Sequence, residues 1–323
     1  MNAEPIVAVT REVPGEPIVV PGARVFVGQE FPAPTRAETL SLVRGASVIV
    51  SMFSDAVDRE LIDAAGERLR GVCNFAVGYN NIDTELCRSR GIMVTNTPDA
   101  VTEGTANMAI GLLLAVSRRI VEGDRFARSG AWAERAPLSM AEMLGPELNG
   151  RVLHVVGAGR IGFATAQRAR AFGMDVIYTS RSRKMVFEQS PVSGRWVSLD
   201  DGLREADVVS VHTPLTPQTR HLLDADRIGL LKRDAIVINT SRGPVIDESA
   251  LAEALAAGRI FGAGLDVFAD EPRVHPGLVR LDNVVMMPHV GSGEWRWRRE
   301  MTRMCEASAR AILAGDEPAH RVV

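Results

Sequence analysis

Three polar residues follow directly on short apolar runs in the second half of the chain. The run 236–239 leads into Thr240, Ser241 and Arg242. The run 263–267 leads to Asp270 and Glu271, and 284–287 leads to Pro288 and His289. Arginine presents a rigid fork of donors that can hold a carboxylate and polarise a carbonyl. Histidine can give a proton to a nascent alkoxide near neutral pH. A neighbouring carboxylate can orient the imidazole and favour its protonated form. An arginine, a glutamate and a histidine are therefore the set that a hydride reduction of a 2-oxo acid requires. Each also has a plainer reading: Arg242 paired with a surface acid, Glu271 as a turn residue before Pro272, His289 as a satisfied strand-end histidine. Among the other histidines, His154 reads as core within a strand and His212 as a strand-end residue able to line a cofactor cleft. His221, His275 and His320 read as loop or surface.

A second motif would bring the hydride carrier. Gly157, Ala158, Gly159, Arg160, Ile161 and Gly162 form a G-x-G-x-x-G. The motif follows the apolar run 152–156 and opens a helical stretch at 163–172. Without β-carbons the backbone can turn tightly and approach a pyrophosphate, whose charge sits on the helix N-terminus. A tight turn with no ligand is the bland alternative. The next strand chooses the cofactor. A site for NAD usually ends that strand with Asp or Glu. Here the only candidate, Asp175, stands at the strand's start. The far end reads Ser180, Arg181, Ser182, Arg183, Lys184. Arg181 can donate to a 2′-phosphate, with Ser180 and Ser182 adding hydrogen bonds, so NADP(H) is expected over NAD(H), which stays possible. A solvated basic turn is the alternative.

These residues need a frame. Apolar runs at 6–9, 24–27, 48–52, 72–77 and 92–94 alternate with helix-like segments at 35–44, 58–69 and 83–89. A second series runs from 152, with strands expected at 152–156, 176–179, 208–212, 236–239, 263–267 and 284–287, and helices at 163–172, 225–231 and 249–257. Such alternation means an α/β fold with parallel sheets. Between the two series, 101–128 reads as one long helix, apolar on several sides in its first half. An irregular arm fills 130–150. The chain ends in an amphipathic helix over 294–313, with Trp297, Met301, Met304, Ser308, Ala311 and Ile312 on one face.

Taken in order, the motifs resemble the D-isomer-specific 2-hydroxyacid dehydrogenases, closest to the glyoxylate/hydroxypyruvate reductase branch. The matching stretches are 74–83 (Asn-Phe-Ala-Val-Gly-Tyr-Asn-Asn-Ile-Asp), 94–98 (Val-Thr-Asn-Thr-Pro), 157–162, 239–243, 262–272 and 288–292. The resemblance implies two doubly wound parallel-sheet domains, a Rossmann NAD(P)-binding domain (100–289) inserted into a flavodoxin-like substrate domain (1–99 and 290–323). It implies that Arg242, Glu271 and His289 are catalytic, and that Phe53, Ala76, Val77 and Gly78 meet the substrate, Val77 and Gly78 through backbone amides. It places the cofactor against Thr105, the glycine loop, His212, Thr213, Pro214, Thr240, Ser241, Asp266 and Gly291. It implies a homodimer through the nucleotide-binding domain. Two features depart from the pattern. Phe53 is bulkier than the leucine often found there, and Gly293-Glu294-Trp295 replaces a small residue and a threonine. Trp295 or Trp297 either closes the pocket or packs the terminal helix; packing is the expectation. A relative acting on another small acid, including phosphite, stays an alternative, as does a non-catalytic dinucleotide sensor.

Composition removes other classes. The chain has 323 residues and a net charge of -3, so nothing marks it for nucleic acid or anionic membranes. No apolar stretch approaches the ~18 residues of a membrane span. The first five residues lack a leader's basic-then-apolar layout. Cys73, Cys87 and Cys305 have no metal-ligand spacing and fit reduced thiols, so a cytoplasmic protein without a metal is expected. Only Lys184 and Lys232 are lysines among 37 basic residues, which leaves two candidate amines for Schiff-base chemistry.

Overall fold

The computed structural model describes residues 4–323; residues 1–3, part of the start read above as lacking a leader, lie outside them. The chain divides into two compact units: everything up to Val101 with Ser292–Val323, and Thr102–Gly291.

In the first unit, β1 (Ile6–Val9), β2 (Arg24–Val27), β3 (Val48–Met52), β4 (Gly71–Phe75) and β5 (Met93–Thr95) form one sheet of order β2-β1-β3-β4-β5, parallel throughout. That is the flavodoxin-like order. β3 and β4 are buried along their whole length, as a parallel sheet covered on both faces demands. Helices Arg36–Leu42, Arg59–Ala65 and Thr84–Ser89 start at Thr35, Asp58 and Asp83, whose side chains accept orphan backbone amides. Ala8, Ile49, Leu61, Ile62 and Val72 knit this core together.

The terminal helix, Trp295–Ala314, packs on β3, β4 and β5, so the end of the chain completes the first unit. Its buried face is Met301, Thr302, Cys305, Ser308, Ala309 and Ile312. Three members of the expected stripe, Trp297, Met304 and Ala311, are only partly buried. Small residues won because the helix lies close to the sheet: a β-carbon on Gly71 would stand 2.5 Å from Ile312 Cδ1. The packing expected of Trp295 is also corrected, since the residue is 78% exposed.

The second unit holds β6 (Val152–Val156), β7 (Asp175–Thr179), β8 (Arg195–Trp196), β9 (Val208–Val211), β10 (Ile236–Asn239), β11 (Gly262–Leu265) and β12 (Val284–Met286). The order is β12-β11-β10-β9-β6-β7-β8, again all parallel. Counted from β6 this is the Rossmann order with one further strand, and the order reverses between β6 and β9. One face is covered by a cluster around Leu203, Leu251 and Leu255, the other by one around Leu112, Leu113 and Tyr178.

The single helix expected at 101–128 is two, Thr102–Ser117 and Ile120–Arg128. The first buries nine residues and the second none, so the chain turns where the core-facing surface runs out. Arg119 takes the left-handed conformation at the break (φ 50°) and pairs with Glu122 at 2.7 Å. The arm contains a short helix, Ala131–Arg135. Edge strand β8 and helix Leu199–Glu205 carried too little hydrophobic pattern to be expected.

His154 is fully buried in β6. Its Nε2 lies 2.8 Å from Thr179 Oγ1, which donates its own proton to Val197 O, so Nε2 carries the imidazole proton. Nδ1 is buried with no partner, and burial pushes the pKa down from 6.5 to about 4. An unfolded chain takes up the proton below 6.5 while the folded one resists until about 4, so stability falls as pH drops through that window. Urea unfolding at pH 7.5 and pH 5 should show a loss on the order of 2 kcal/mol attributable to this residue. His154→Gln should lose that much less than the parent over the same interval; equal losses would show that His154 does not carry the effect.

Candidate active site

In a parallel sheet all carboxyl ends emerge along one edge. The loops after β6, β9, β10, β11 and β12 therefore share an edge of the second unit. They carry Gly157–Gly162, His212–Pro214, Thr240–Arg242, Asp266–Glu271 and His289–Gly291 respectively.

After β12 the backbone of His289 is held in the left-handed region (φ 54°). Its amide donates to Asp266 O at 2.8 Å. The Val290 and Gly291 amides donate to the two carboxylate oxygens of Asp266 at 2.8 and 2.7 Å. Three consecutive amides thus tie the histidine loop to the end of β11. His289 Nδ1 stands 2.7 Å from Glu271 Oε2. Glu271 Oε1 accepts from the Phe268 amide at 3.0 Å. Burial pushes the Glu271 carboxyl up, but the bonds from His289 and Phe268 and the charges of His289 and Arg242 outweigh it and leave it below the usual range. For Asp266 burial prevails over its two amide donors, and the carboxyl lies above the usual range.

Arg242 is fixed by its own loop. Asn239 Nδ2 donates to Arg242 O at 3.1 Å, while Asn239 Oδ1 accepts from the Ser241 amide and hydroxyl at 3.0 and 2.8 Å. Burial pulls the guanidinium pKa down and the Glu271 charge opposes it. Arg242, Glu271 and His289 are thus brought within electrostatic reach of one another. Among the described residues no cluster could hold a metal ion.

The glycine loop fits a dinucleotide. Gly157 has φ 107°, and a β-carbon there would collide with the His212–Thr213 peptide at 2.7 Å. β6 and β9 therefore meet backbone to backbone at the point of strand-order reversal, where ligands of such sheets bind. A β-carbon on Gly159 would meet nothing within 4 Å, so the loop faces open space. Helix Arg160–Ala171 starts with no side-chain cap, which leaves its first amides for an anion. The Thr213 and Thr240 hydroxyls are buried without a partner, in the two loops expected to line the cofactor. His212 Nε2 bonds Ser210 Oγ at 2.8 Å, and burial pushes its pKa down to about 4, so the ring is neutral. Thr105 is buried within the first helix of the unit.

At the end of β7, Arg181 is exposed and Ser182 is exposed beside it. Ser180 Oγ donates to Ser182 O at 2.6 Å and so spends its proton within the loop. Arg183 is taken by Glu188 at 2.6 Å, and Asp175 at the opposite end pairs with Arg170.

The remaining expected residues lie on the first unit. Phe53 follows β3; Ala76, Val77 and Gly78 follow β4. Here the carbonyls are pinned: Ala76 O accepts from the Thr97 amide, Val77 O from Asn96 Nδ2 and Gly78 O from Asn74 Nδ2. The Val77 and Gly78 amides donate to nothing among the described residues. A turn with its carbonyls tied back and two amides free suits a carboxylate. Sequence reading did not single out Asn74, Asn96 or Asn239. Their signal, an asparagine at or just past a buried strand's end, is legible only once the strands are placed.

Comparison with known proteins identifies the family. Residues 110–291 match the family model "D-isomer specific 2-hydroxyacid dehydrogenase, NAD binding domain". The chain is 42% identical to the glyoxylate reductase of Thermococcus litoralis over 99% of its length and 97% of that protein. The chain belongs to the D-isomer-specific 2-hydroxyacid dehydrogenase family. Like that family's members it is an NAD(P)-dependent dehydrogenase with a Rossmann domain. A crystal structure of a protein from Thermus thermophilus superposes with a TM-score of 0.89 at 42% identity, covering 98% of this dehydrogenase and all of that chain. An NADPH-dependent glyoxylate/hydroxypyruvate reductase of Sinorhizobium meliloti, crystallised with NADP and malonate, gives 0.83 at 31% identity over 99% and 97%. No helix of the described dehydrogenase is long and apolar enough to cross a membrane.

The open space at Gly159 gives a direct test. Gly159→Val should fold with an unchanged unfolding midpoint yet lose nicotinamide dinucleotide binding in a fluorescence titration. Retained binding would mean that the phosphates lie elsewhere.

Proposed function

We propose that this dehydrogenase reduces glyoxylate and hydroxypyruvate to glycolate and D-glycerate, with NADPH preferred. The carrying observation is the 2.7 Å contact between His289 and Glu271 at the edge that also bears Arg242 and the glycine loop. The glyoxylate reductases of Thermococcus and Pyrococcus, 42% identical to this chain, support the substrate class.

The chemistry divides among the chain's residues as follows. Bound NADPH supplies the hydride. The glycine loop amides hold its pyrophosphate, the Thr213 and Thr240 hydroxyls and the Asp266 carboxylate hold further polar groups, and Arg181 with Ser182 meets the 2′-phosphate. Arg242 grips the substrate carboxylate and polarises the carbonyl. The free Val77 and Gly78 amides are donors of the same kind, and Phe53 bounds the substrate's size. Because Glu271 occupies His289 Nδ1, Nε2 is the atom that delivers the proton to the carbonyl oxygen. Glu271 stabilises the charged ring before the transfer and orients it throughout.

The second unit is proposed as the seat of a homodimer. Ile120, Trp132, Met140 and Leu144 on its second helix and arm are 53–94% exposed, large apolar residues that a partner copy would cover. Light scattering should return twice the mass of one chain; a monomer would remove the assignment. Free, buried Cys73, Cys87 and Cys305 favour a reducing compartment, the cytoplasm.

Steady-state kinetics on glyoxylate, hydroxypyruvate and pyruvate with each cofactor test the function. Activity should be highest on the first two and with NADPH. Arg181→Ala should weaken NADPH roughly 10- to 100-fold and NADH little, the worth of one charge-assisted bond. His289→Ala should cost about 10²–10⁴ in turnover while NADPH still binds. Equal losses for both cofactors, or a fully active His289 variant, would overturn the corresponding role.

A further inference from the structure

We propose that Glu248 is a positioning residue for this reaction, holding the loop that aims Glu271 at His289. The inference rests on the reading of Glu271 and His289 given above and names a residue that the reading does not use. Glu248 is the first residue of helix Glu248–Ala256, whose N-cap is Asp247. An acidic side chain there ordinarily just favours the helix end. This one turns to another segment: Glu248 Oε1 accepts from the Ala269 amide at 2.7 Å.

Ala269 stands two residues before Glu271, and two other segments meet its peptide. Besides the Glu248 carboxylate there is Gly243, the residue after Arg242. A β-carbon on Gly243 would stand 1.9 Å from Phe268 C and 2.3 Å from Ala269 N, so the two backbones are in direct contact. The adjoining Phe268 amide is the donor that anchors Glu271 Oε1. Two successive amides thus point opposite ways in function. One is gripped by Glu248 and the other grips Glu271. Loosening the first frees the second, and Glu271 then keeps only its bond to His289.

The local charges show that Glu248 is not placed there for electrostatic comfort. Burial pushes the Glu248 carboxyl above its usual range, the Ala269 amide and His275 oppose it, and the charges of Glu271 and Asp270 add to it. Asp270 is engaged with Arg273, and Glu271 with His289 and Arg242. The Ala269 amide opposes these effects without outweighing them.

Three variants, each measured for kcat, KM, NADPH affinity and crystal structure, test the proposal. Glu248→Asp keeps the acidic first turn of the helix but falls one methylene short of Ala269. Glu248→Ala removes the acceptor altogether. Both should lower kcat roughly 10- to 100-fold, the scale of a small misplacement of a catalytic group, with KM and NADPH affinity changed by no more than about twofold. Glu248→Gln retains an oxygen that can accept from Ala269 and should keep kcat within about threefold of the parent. Crystals of the Asp or Ala variant should show Glu271 swung away from His289. Parental kcat in the Asp variant, an intact His289–Glu271 contact in either structure, or a Gln variant as damaged as Ala would each overturn the proposal. A parent inactive on every 2-oxo acid would instead overturn the functional reading, and the position of Glu271 in the variant crystals would still decide the role of Glu248.

Discussion

A parallel sheet delivers every strand's carboxyl end to the same edge, and the rest of this molecule follows from that constraint. Residues separated by more than a hundred positions, from Gly157 to His289, need no special device to become neighbours of one edge. What remains is local aiming. The structure does this mainly with backbone amides. Asp266 gathers three donors from the histidine loop between its carbonyl and its carboxylate. Asn239 ties both sides of the arginine loop. Phe268 and His289 hold the two oxygens of Glu271. Each such bond is worth only about 1 kcal/mol net, but a buried amide left unmade costs more, so the loops have few alternatives.

The first unit applies the same economy with the opposite polarity. Its β4 turn has its carbonyls tied back by asparagines and a threonine amide, while the Val77 and Gly78 amides have no acceptor among the described residues. The second unit presents the Arg242 guanidinium and the His289–Glu271 pair, the first a pair of neutral amides. The buried histidines serve neither purpose. Burial lowers the pKa of His154 and of His212, whereas His289 stands 2.7 Å from the Glu271 carboxylate.

Much of this was legible from residues alone. The alternation of apolar runs and helical patterns specified two parallel sheets, because a strand buried on both faces must be apolar throughout. The placement of Arg242, Glu271 and His289 directly after three such runs located them at one edge. The glycine loop and the basic end of the second strand were equally local signals. Periodicity misled where packing distance mattered more than hydrophobicity. The terminal helix turned Thr302, Cys305 and Ala309 inward because small side chains let it approach the sheet, and Trp295 stayed in solvent. The long helix broke at Arg119 because its core-facing surface ended there, which no window of sequence could register.

Sequence by itself thus determined which residues stand at the carboxyl edge, since every strand of a parallel sheet ends there whatever the strand order. Tertiary structure alone decided their aim. The Glu271 oxygens are assigned to particular partners, the Gly243 backbone touches the Phe268–Ala269 peptide, and Glu248 reaches across 21 residues to one amide. Most of these contacts join groups distant in the chain, and most involve a backbone group. Every residue carries the same amide and carbonyl, so residue type gives no sign of which will meet.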